Sequence, residues 1–522
     1  MLRHIPLALL LVATGVTVVA QQARPSTPSP VAPTAPQASV ARPIPPDQVI
    51  ADALAAMGGR DRVLAVKTLV IEGYGKNPNI GQAMTPEAEP LFWMLPDYER
   101  RIDLVNQRME VSFTRRPAFP AVFDNARQVQ RLDGDVAYNP PAVPTAAPTA
   151  PVRLSADTAR DRRVEMLLHP LTLLRAALEP GARVTNARRV PMGRAVDVVT
   201  ARGDTLTLTV DASNRPVSIA TAVYHPNLGD TVRKVTFDSY ENLDGLRLPK
   251  RFVTTLDRWV EYEIGVMKNT LDADLALDAP AATRAMAPQA ATPPLNVNAV
   301  APGVWFVTGG GVANMIIEFA DHVAIVEAPS EARLQAVMDA ARMLVPGKPL
   351  TQLILSHHHF DHSAGVRAGV AAGLTVITHR VNVPWFREAV RRTHRLSPDA
   401  LTKTPKPLTI VSVDDRTVLK DAAMEVHLYH LVNSTHGDGI LALYFPALGL
   451  YAEPDVWNPG AQINPHVRSL ADDIARRQLR IERIVPLHGA QVQPYAEFEK
   501  ILAEWGGRRA TTTTYVPPGA AR

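Results

Sequence analysis

The stretch Leu350-Thr351-Gln352-Leu353-Ile354-Leu355-Ser356-His357-His358-His359-Phe360-Asp361-His362-Ser363-Ala364-Gly365 decides how the chain reads. Its first six residues form an apolar run of strand type, and Ser363-Ala364-Gly365 opens an Ala-rich helical pattern. On an extended backbone side chains alternate, so His357, His359 and Asp361 project to one side of the strand's end. A tight turn at Asp361 then swings His362 in beside them. Imidazole and carboxylate are the ligand types preferred by borderline divalent metals. Four such groups within the six residues 357–362 are too dense for a structural zinc finger and suit two adjacent metals. A solvated His-rich loop is the competing reading. An aspartate inside the run and the strand-to-helix context argue against it.

The run resembles the His-x-His-x-Asp-His signature of the metallo-β-lactamase superfamily, and the resemblance extends over roughly residues 295–505. Strand-type segments at Val304–Thr308, Ala313–Phe319, His322–Glu327 and Thr375–Thr378 alternate with a helical Ser330–Leu344, as layered α/β structure requires. The resemblance makes this an αββα sandwich with metals at one edge between its sheets. It also implies further ligands. His436 lies in Asn433-Ser434-Thr435-His436-Gly437-Asp438-Gly439 before a strand at Ile440–Phe445. Asp455 follows the apolar run Leu448–Ala452, and His488 ends Ile484-Val485-Pro486-Leu487-His488-Gly489. Two departures stand out: Pro454 precedes Asp455 where glycine is usual, and Leu487 replaces a common glycine. Pro removes an N–H and fixes φ, so the turn is expected to differ, and Glu453 remains an alternative ligand.

By resemblance, His357, His359 and His436 take metal one. Asp361, His362 and His488 take metal two, with Asp455 bridging or leaning to metal two. The implied cofactor is a pair of zinc ions, iron and manganese being alternatives. Asp361 would orient a metal-activated hydroxide or shuttle its proton. His358 is expected to face away and to pack or hydrogen-bond. His322, His379, His394, His427, His430 and His466 match no motif, and His466 is placed near the substrate cleft.

The 522 residues, 46% hydrophobic and 20% charged, suffice for two or more ordinary globular domains. A net charge of +4 with no basic cluster interleaved with aromatics gives no case for nucleic acid. The absence of cysteine removes disulfides and thiolate ligands, leaving His, Asp and Glu to hold a metal.

Residues 1–20, basic at Arg3 and His4 and then apolar to Ala20, read as a secretory signal peptide, with an uncleaved anchor as the alternative. Export to the periplasm or outside follows in either case, with no second membrane span. A Pro/Ala-rich spacer occupies 21–46 and a second one 278–294, with a tail at 509–522. Between the spacers, 47–277 reads as a β-rich domain: a helix over Gln48–Met57, many strand-type segments, a single one at Lys250–Glu263 among them, and one amphipathic helix over Asp161–Leu178. It resembles the half-barrel of lipoprotein carriers. His169 and His225, its only histidines, are read as surface or capping residues. The catalytic domain is set at 295–508.

The expectation is an α/β (α+β) chain: an antiparallel half-barrel-like domain followed by the sandwich. The expected activity is metal-dependent hydrolysis of an ester-, lactone- or amide-type bond in a small-molecule substrate. A β-lactamase is the runner-up, and an apolar-ligand binder with a vestigial hydrolase domain is the reading from another class. No Gly-x-Ser-x-Gly elbow competes. Substrate and oligomeric state are not legible.

Overall fold

The computed structural model describes residues 43–119, 125–141, 150–289, 294–460 and 465–506. The expected signal peptide at 1–20, nearly all of the first spacer, the C-terminal tail and most of a Pro/Ala-rich insert at 139–151 lie outside them.

The N-terminal half is a twelve-stranded sheet in which every neighbouring pair is antiparallel. Two runs of successive hairpins meet where Thr68–Pro78 pairs with Trp259–Leu271. Alternate residues such as Leu206, Leu208 and Val210 are fully buried, as a sheet with one covered face demands. Residues of the helices Pro46–Met57, Ala156–Leu167 and Pro170–Ala176 complete this core.

Three readings of this half need correction. Asp161–Leu178 is not one helix: it breaks at His169, whose Nδ1 accepts from Leu171 N at 3.2 Å as the cap of the second helix. Pro170 causes the break, because the residue before a proline is pushed out of the helical region. His169 is therefore the expected capping residue, but it is buried rather than at the surface. Lys250–Glu263 is not one strand either. A two-residue turn at Asp257-Arg258, with Asp257 at φ 54°, joins Leu246–Leu256 to Trp259–Leu271. Strand formers on both sides, and no glycine, hide that turn in the sequence. The segment 278–294, expected as the second spacer, is docked where it is described. Ala281–Ala285 forms a short helix, and Asp133 accepts from Ala279 N at 2.8 Å while pairing with Arg284.

The C-terminal half stacks two sheets. Seven strands run in sequence order from Asn296–Ala301 to Ile410–Val413, and six from Arg416–Lys420 to Gln493–Pro494. Phe306, Met315, Ile317 and Val326 of the first sheet meet Leu428, Leu443, Phe445 and Val485 of the second in a fully buried core. The helices Glu331–Leu344, Val366–Ala372 and Val383–Arg391 cover the outer face of the first sheet. Pro465–Arg477 and Tyr495–Gly506 cover that of the second. This is the αββα order. Among the described residues no helix is long and apolar enough to cross a membrane.

The two halves share a core. Leu228, in the turn before Gly229–Leu243, and Leu256 of the large sheet are buried in the same cluster as Trp385 and Phe386. Around it Arg392 pairs with Asp257 at 2.7 Å and Arg258 with Glu388 at 3.0 Å. Asp230 N donates to Thr393 O at 2.7 Å. The turn at Asp257-Arg258 thus supplies charges to the junction.

Candidate metal centre

The strand Leu350–Ile354 ends before the histidines, and Leu355 N still donates to Ile377 O at 2.9 Å. His357 and His359 follow on extended backbone. Asp361 does not reach the site by strand alternation, as the sequence reading supposed. A single helical turn, Phe360–Ser363, carries both Asp361 and His362. Ser363 Oγ closes the turn by donating to the carbonyls of His358 and His359 at 3.1 and 2.8 Å.

His436 comes from the loop before Leu441–Phe445. Asn382 pins that loop by donating to Gly439 O at 2.9 Å, and its Oδ1 lies 3.2 Å from His358 Nδ1. His358 accordingly faces away from the cluster, as its position in the strand-end alternation implies. Asp455 follows Leu450–Glu453 at φ 59°, a left-handed conformation that turns its carboxylate back into the site. Glu453 is fully buried and does not join the cluster. Its Oε2 accepts from Val456 N and Trp457 N at 3.0 and 3.2 Å, which builds the turn that presents Asp455. Burial pushes its carboxyl up to about 8. His488 follows Arg483–Pro486, where Leu487 is fully buried in the core between the sheets.

Two groups of potential ligand atoms result, each with its atoms within 4.8 Å of one another: His357, His359, His436 and Asp455; and Asp361, His362, Asp455 and His488. Asp455 belongs to both. Its Oδ2 lies 3.3 Å from His357 Nε2, 2.7 Å from His362 Nε2 and 3.5 Å from His436 Nε2, while Oδ1 lies 2.7 Å from His488 Nε2. Imidazole nitrogens also face each other, His436 Nε2 and His359 Nδ1 at 3.0 Å, His362 Nε2 and His488 Nε2 at 3.1 Å. The buried His357 Nε2 has no hydrogen-bond partner among the described residues. Convergent lone pairs on N and O donors, with such an orphaned atom among them, are the donor set a pair of borderline divalent cations satisfies. A third group, Asp321, His322 and Asp421, lies apart from these two.

The electrostatics are two-sided. Burial, with neighbouring imidazoles, drives His357 well below the ordinary histidine value, and burial takes His436 to about 3, so both stay neutral and able to ligate. Burial also opposes charge on His362 and His488. There Asp455, with Glu327 at His362 and Asp361 at His488, outweighs it, raising His362 well above its ordinary value and His488 to about 10. The field that favours a proton at this end favours a cation.

Two of the histidines have polar atoms near their other nitrogen. His357 Nδ1 lies 2.9 Å from Ser356 Oγ, and His362 Nδ1 lies 3.2 Å from Glu327 Oε1. Glu327 is fully buried at φ 68°, just past the strand Val323–Val326. The sequence reading missed it; its one signal was an acidic residue at the end of a fully apolar strand. Glu327→Ala is expected to weaken metal-two affinity roughly 10- to 100-fold, as loss of a ligand's supporting carboxylate does. Chelator competition on the intact chain measures this, and unchanged affinity would remove Glu327 from the site. His466 sits beside His436, ring centroids 5.3 Å apart. His379 and His430 stack on one another at 3.9 Å.

Residues 307–451 match the family model described as the metallo-beta-lactamase superfamily. No curated protein matches the chain. Among solved structures, the metallo-beta-lactamase from Pontibacter korlensis is 13% identical, covers 41% of this chain and all (100%) of its own, with a TM-score of 0.31. The metallo-beta-lactamase FIM-1 from Pseudomonas aeruginosa in its mono-zinc form is 15% identical over 42% of this chain and 98% of its own, TM-score 0.33. The Flv1 flavodiiron core from Synechocystis sp. PCC6803 is 11% identical over 41% of this chain and 61% of its own, TM-score 0.32.

Proposed function

We propose, on the premise that residues 307–451 are a metallo-β-lactamase superfamily segment, that the protein is an exported metallohydrolase acting on an ester-, lactone- or amide-type bond of a small molecule. One observation carries the reading: two four-residue groups of ligand type share a single carboxylate, Asp455. His357, His359 and His436 would hold one cation and Asp361, His362 and His488 the other, zinc being the expected metal. Bound there, the pair would supply Lewis acidity and a water able to ionise near neutral pH.

The chain's own residues do the rest. Asp455 ties the two groups together, because its Oδ2 faces His357 and His436 of one group and His362 of the other, while Oδ1 faces His488. Asp361 is the candidate proton acceptor. Its side chain is 43% exposed at the cluster's edge, and Oδ2 lies 3.3 Å from His488 Nε2. His488 and His362 hold its carboxylate below the ordinary range against the opposing effect of burial, so it stays ionised. His466 and Thr435, 2.6 Å apart beside His436, supply polar groups to the approach. The apolar N-terminal run supports export, and the segments 47–277 and 295–508 are taken as the two domains, joined through 278–294.

The test is hydrolysis of a panel of chromogenic esters, lactones and cephalosporins before and after dialysis against a chelator. Activity on at least one class is expected to vanish with the metal and to return on adding zinc, with manganese and iron as comparison arms. Activity indifferent to chelation throughout, or a chain that purifies without stoichiometric metal, would reject the proposal. Cleavage confined to cephalosporins would instead select the β-lactamase reading.

A further inference from the structure

The loop between the first two strands of the N-terminal sheet, residues 79–91, leaves its own sheet and lies on the metal turn. Four consecutive residues bond there. Gly81 O accepts from Phe360 N at 3.2 Å, and Gln82 Nε2 donates to Asp361 Oδ1 at 2.7 Å. Ala83 O lies 3.0 Å from His359 Nε2, and Met84 O accepts from Asp438 N at 2.8 Å, two residues beyond His436. A second element of the same sheet supports the turn from another side. Asn227 Nδ2 donates to Phe360 O at 3.3 Å, and the His225 ring packs against Phe360 with centroids 5.4 Å apart.

The geometry assigns Gly81–Met84 as positioning residues of the metal centre, contributed by the N-terminal domain. This rests on the metallohydrolase reading and adds to it a function for a domain whose chemistry the sequence leaves blank. The physical argument concerns the histidine tautomer. His359 is the one ligand in its group whose Nδ1, not Nε2, faces the others, 3.0 Å from His436 Nε2. For Nδ1 to offer a lone pair, the proton must sit on Nε2, and a backbone carbonyl is an acceptor that fixes it there. Ala83 O is that acceptor. Gln82 acts on the other group. Its amide holds Oδ1 of the Asp361 carboxylate at the edge, which leaves Oδ2 towards His488 and His362.

Gly81 makes the close approach possible. Its φ is +79°, and a Cβ there would fall on the ring of Phe360, which is itself stacked on Trp385 at 5.4 Å and has little room to yield.

The experiment uses the full-length chain, with zinc and cobalt as probes and a chromophoric chelator as competitor. Gln82→Ala is expected to weaken the metal-two equivalent about tenfold and leave the metal-one equivalent intact, with Gln82→Asn restoring part of the loss. Gly81→Val lifts the loop and is expected to weaken metal one as well, roughly 10- to 100-fold, with a changed visible spectrum of the cobalt form. Thermal unfolding of the metal-free variants controls for a general loss of structure. Gln82 is at the surface of the contact, so its variant remains informative if Gly81→Val does not fold. Wild-type affinities and an unchanged cobalt spectrum in Gln82→Ala and in any folded Gly81→Val would overturn the assignment while leaving the hydrolase reading standing. A wild-type chain that binds neither metal would end both.

Discussion

Asp455→Ala is expected to lower bound zinc from about two equivalents per chain to less than one and to reduce turnover by at least about 10^2- to 10^3-fold. Among the described residues no other side chain belongs to both ligand groups. The loss has a second source besides the missing ligand. The Asp455 carboxylate lies within 3.5 Å of His357, His362, His436 and His488, and its charge would offset that of cations held in a buried site. Asp455→Asn keeps the shape and one oxygen, so it separates ligation from charge. Retention of one tightly held equivalent in the Asn variant, with turnover still lost, would assign the carboxylate's charge to the second metal. Two equivalents and near-normal rates in Asp455→Ala would show that the convergence of these side chains is not the active centre.

The largest stability effect is expected away from the ligands, at Arg367. This arginine follows the metal turn in the helix Val366–Ala372 and is only 6% exposed. It pairs with Asp399, itself 5% exposed, with Nη2 to Oδ1 at 3.2 Å and a shorter contact from Nε to Oδ2. Its remaining N–H groups donate to the carbonyls of Ala389, Val390 and Arg392. Arg367→Met fills similar volume but strands a buried carboxylate and three carbonyls. Removing one partner of a buried pair typically costs about 3–5 kcal/mol. The urea midpoint of the variant should fall accordingly, and a midpoint within error of wild type would show that the site relaxes and lets water in. Burial alone would raise Asp399, but the bonds from Arg367 and Thr402 outweigh it and hold it at about 2, below its unfolded value. Its folded pKa is depressed, so the pair's contribution is present above the unfolded aspartate value and is lost as pH falls through about 2. The difference between wild type and variant is therefore expected to persist through neutral pH and to shrink only in strong acid.

The metal turn was legible because the groups that define it are adjacent in sequence. A strand end, four ligand-type side chains and a helix opening lie within residues 350–365, and short-range stereochemistry suffices to bring them together. The more distant His436, Asp455 and His488 were legible through their order and their strand contexts. Local errors arose where one residue overrides a run: Pro170 breaking a helix, Asp257 turning inside a stretch of strand formers. The choice between Glu453 and Asp455 was not decidable from residue type, since both are carboxylates beside the same strand. Backbone conformation decides it, because at φ 59° Asp455 turns into the site while Glu453 stays beneath and caps the turn.

The sequence by itself determined the ligand-type side chains of the candidate metal centre, the layered class of the C-terminal half and the β-rich character of the N-terminal one. Only the tertiary structure brought in Glu327, Gln82 and Ala83. Ala83 acts through a carbonyl that every residue possesses, and Gln82 lies 279 positions from the aspartate it holds. Groups that orient a ligand from behind need only be near it in space and leave no periodicity or spacing in the chain. Their identity emerges when a loop of one sheet comes to rest on the turn of another.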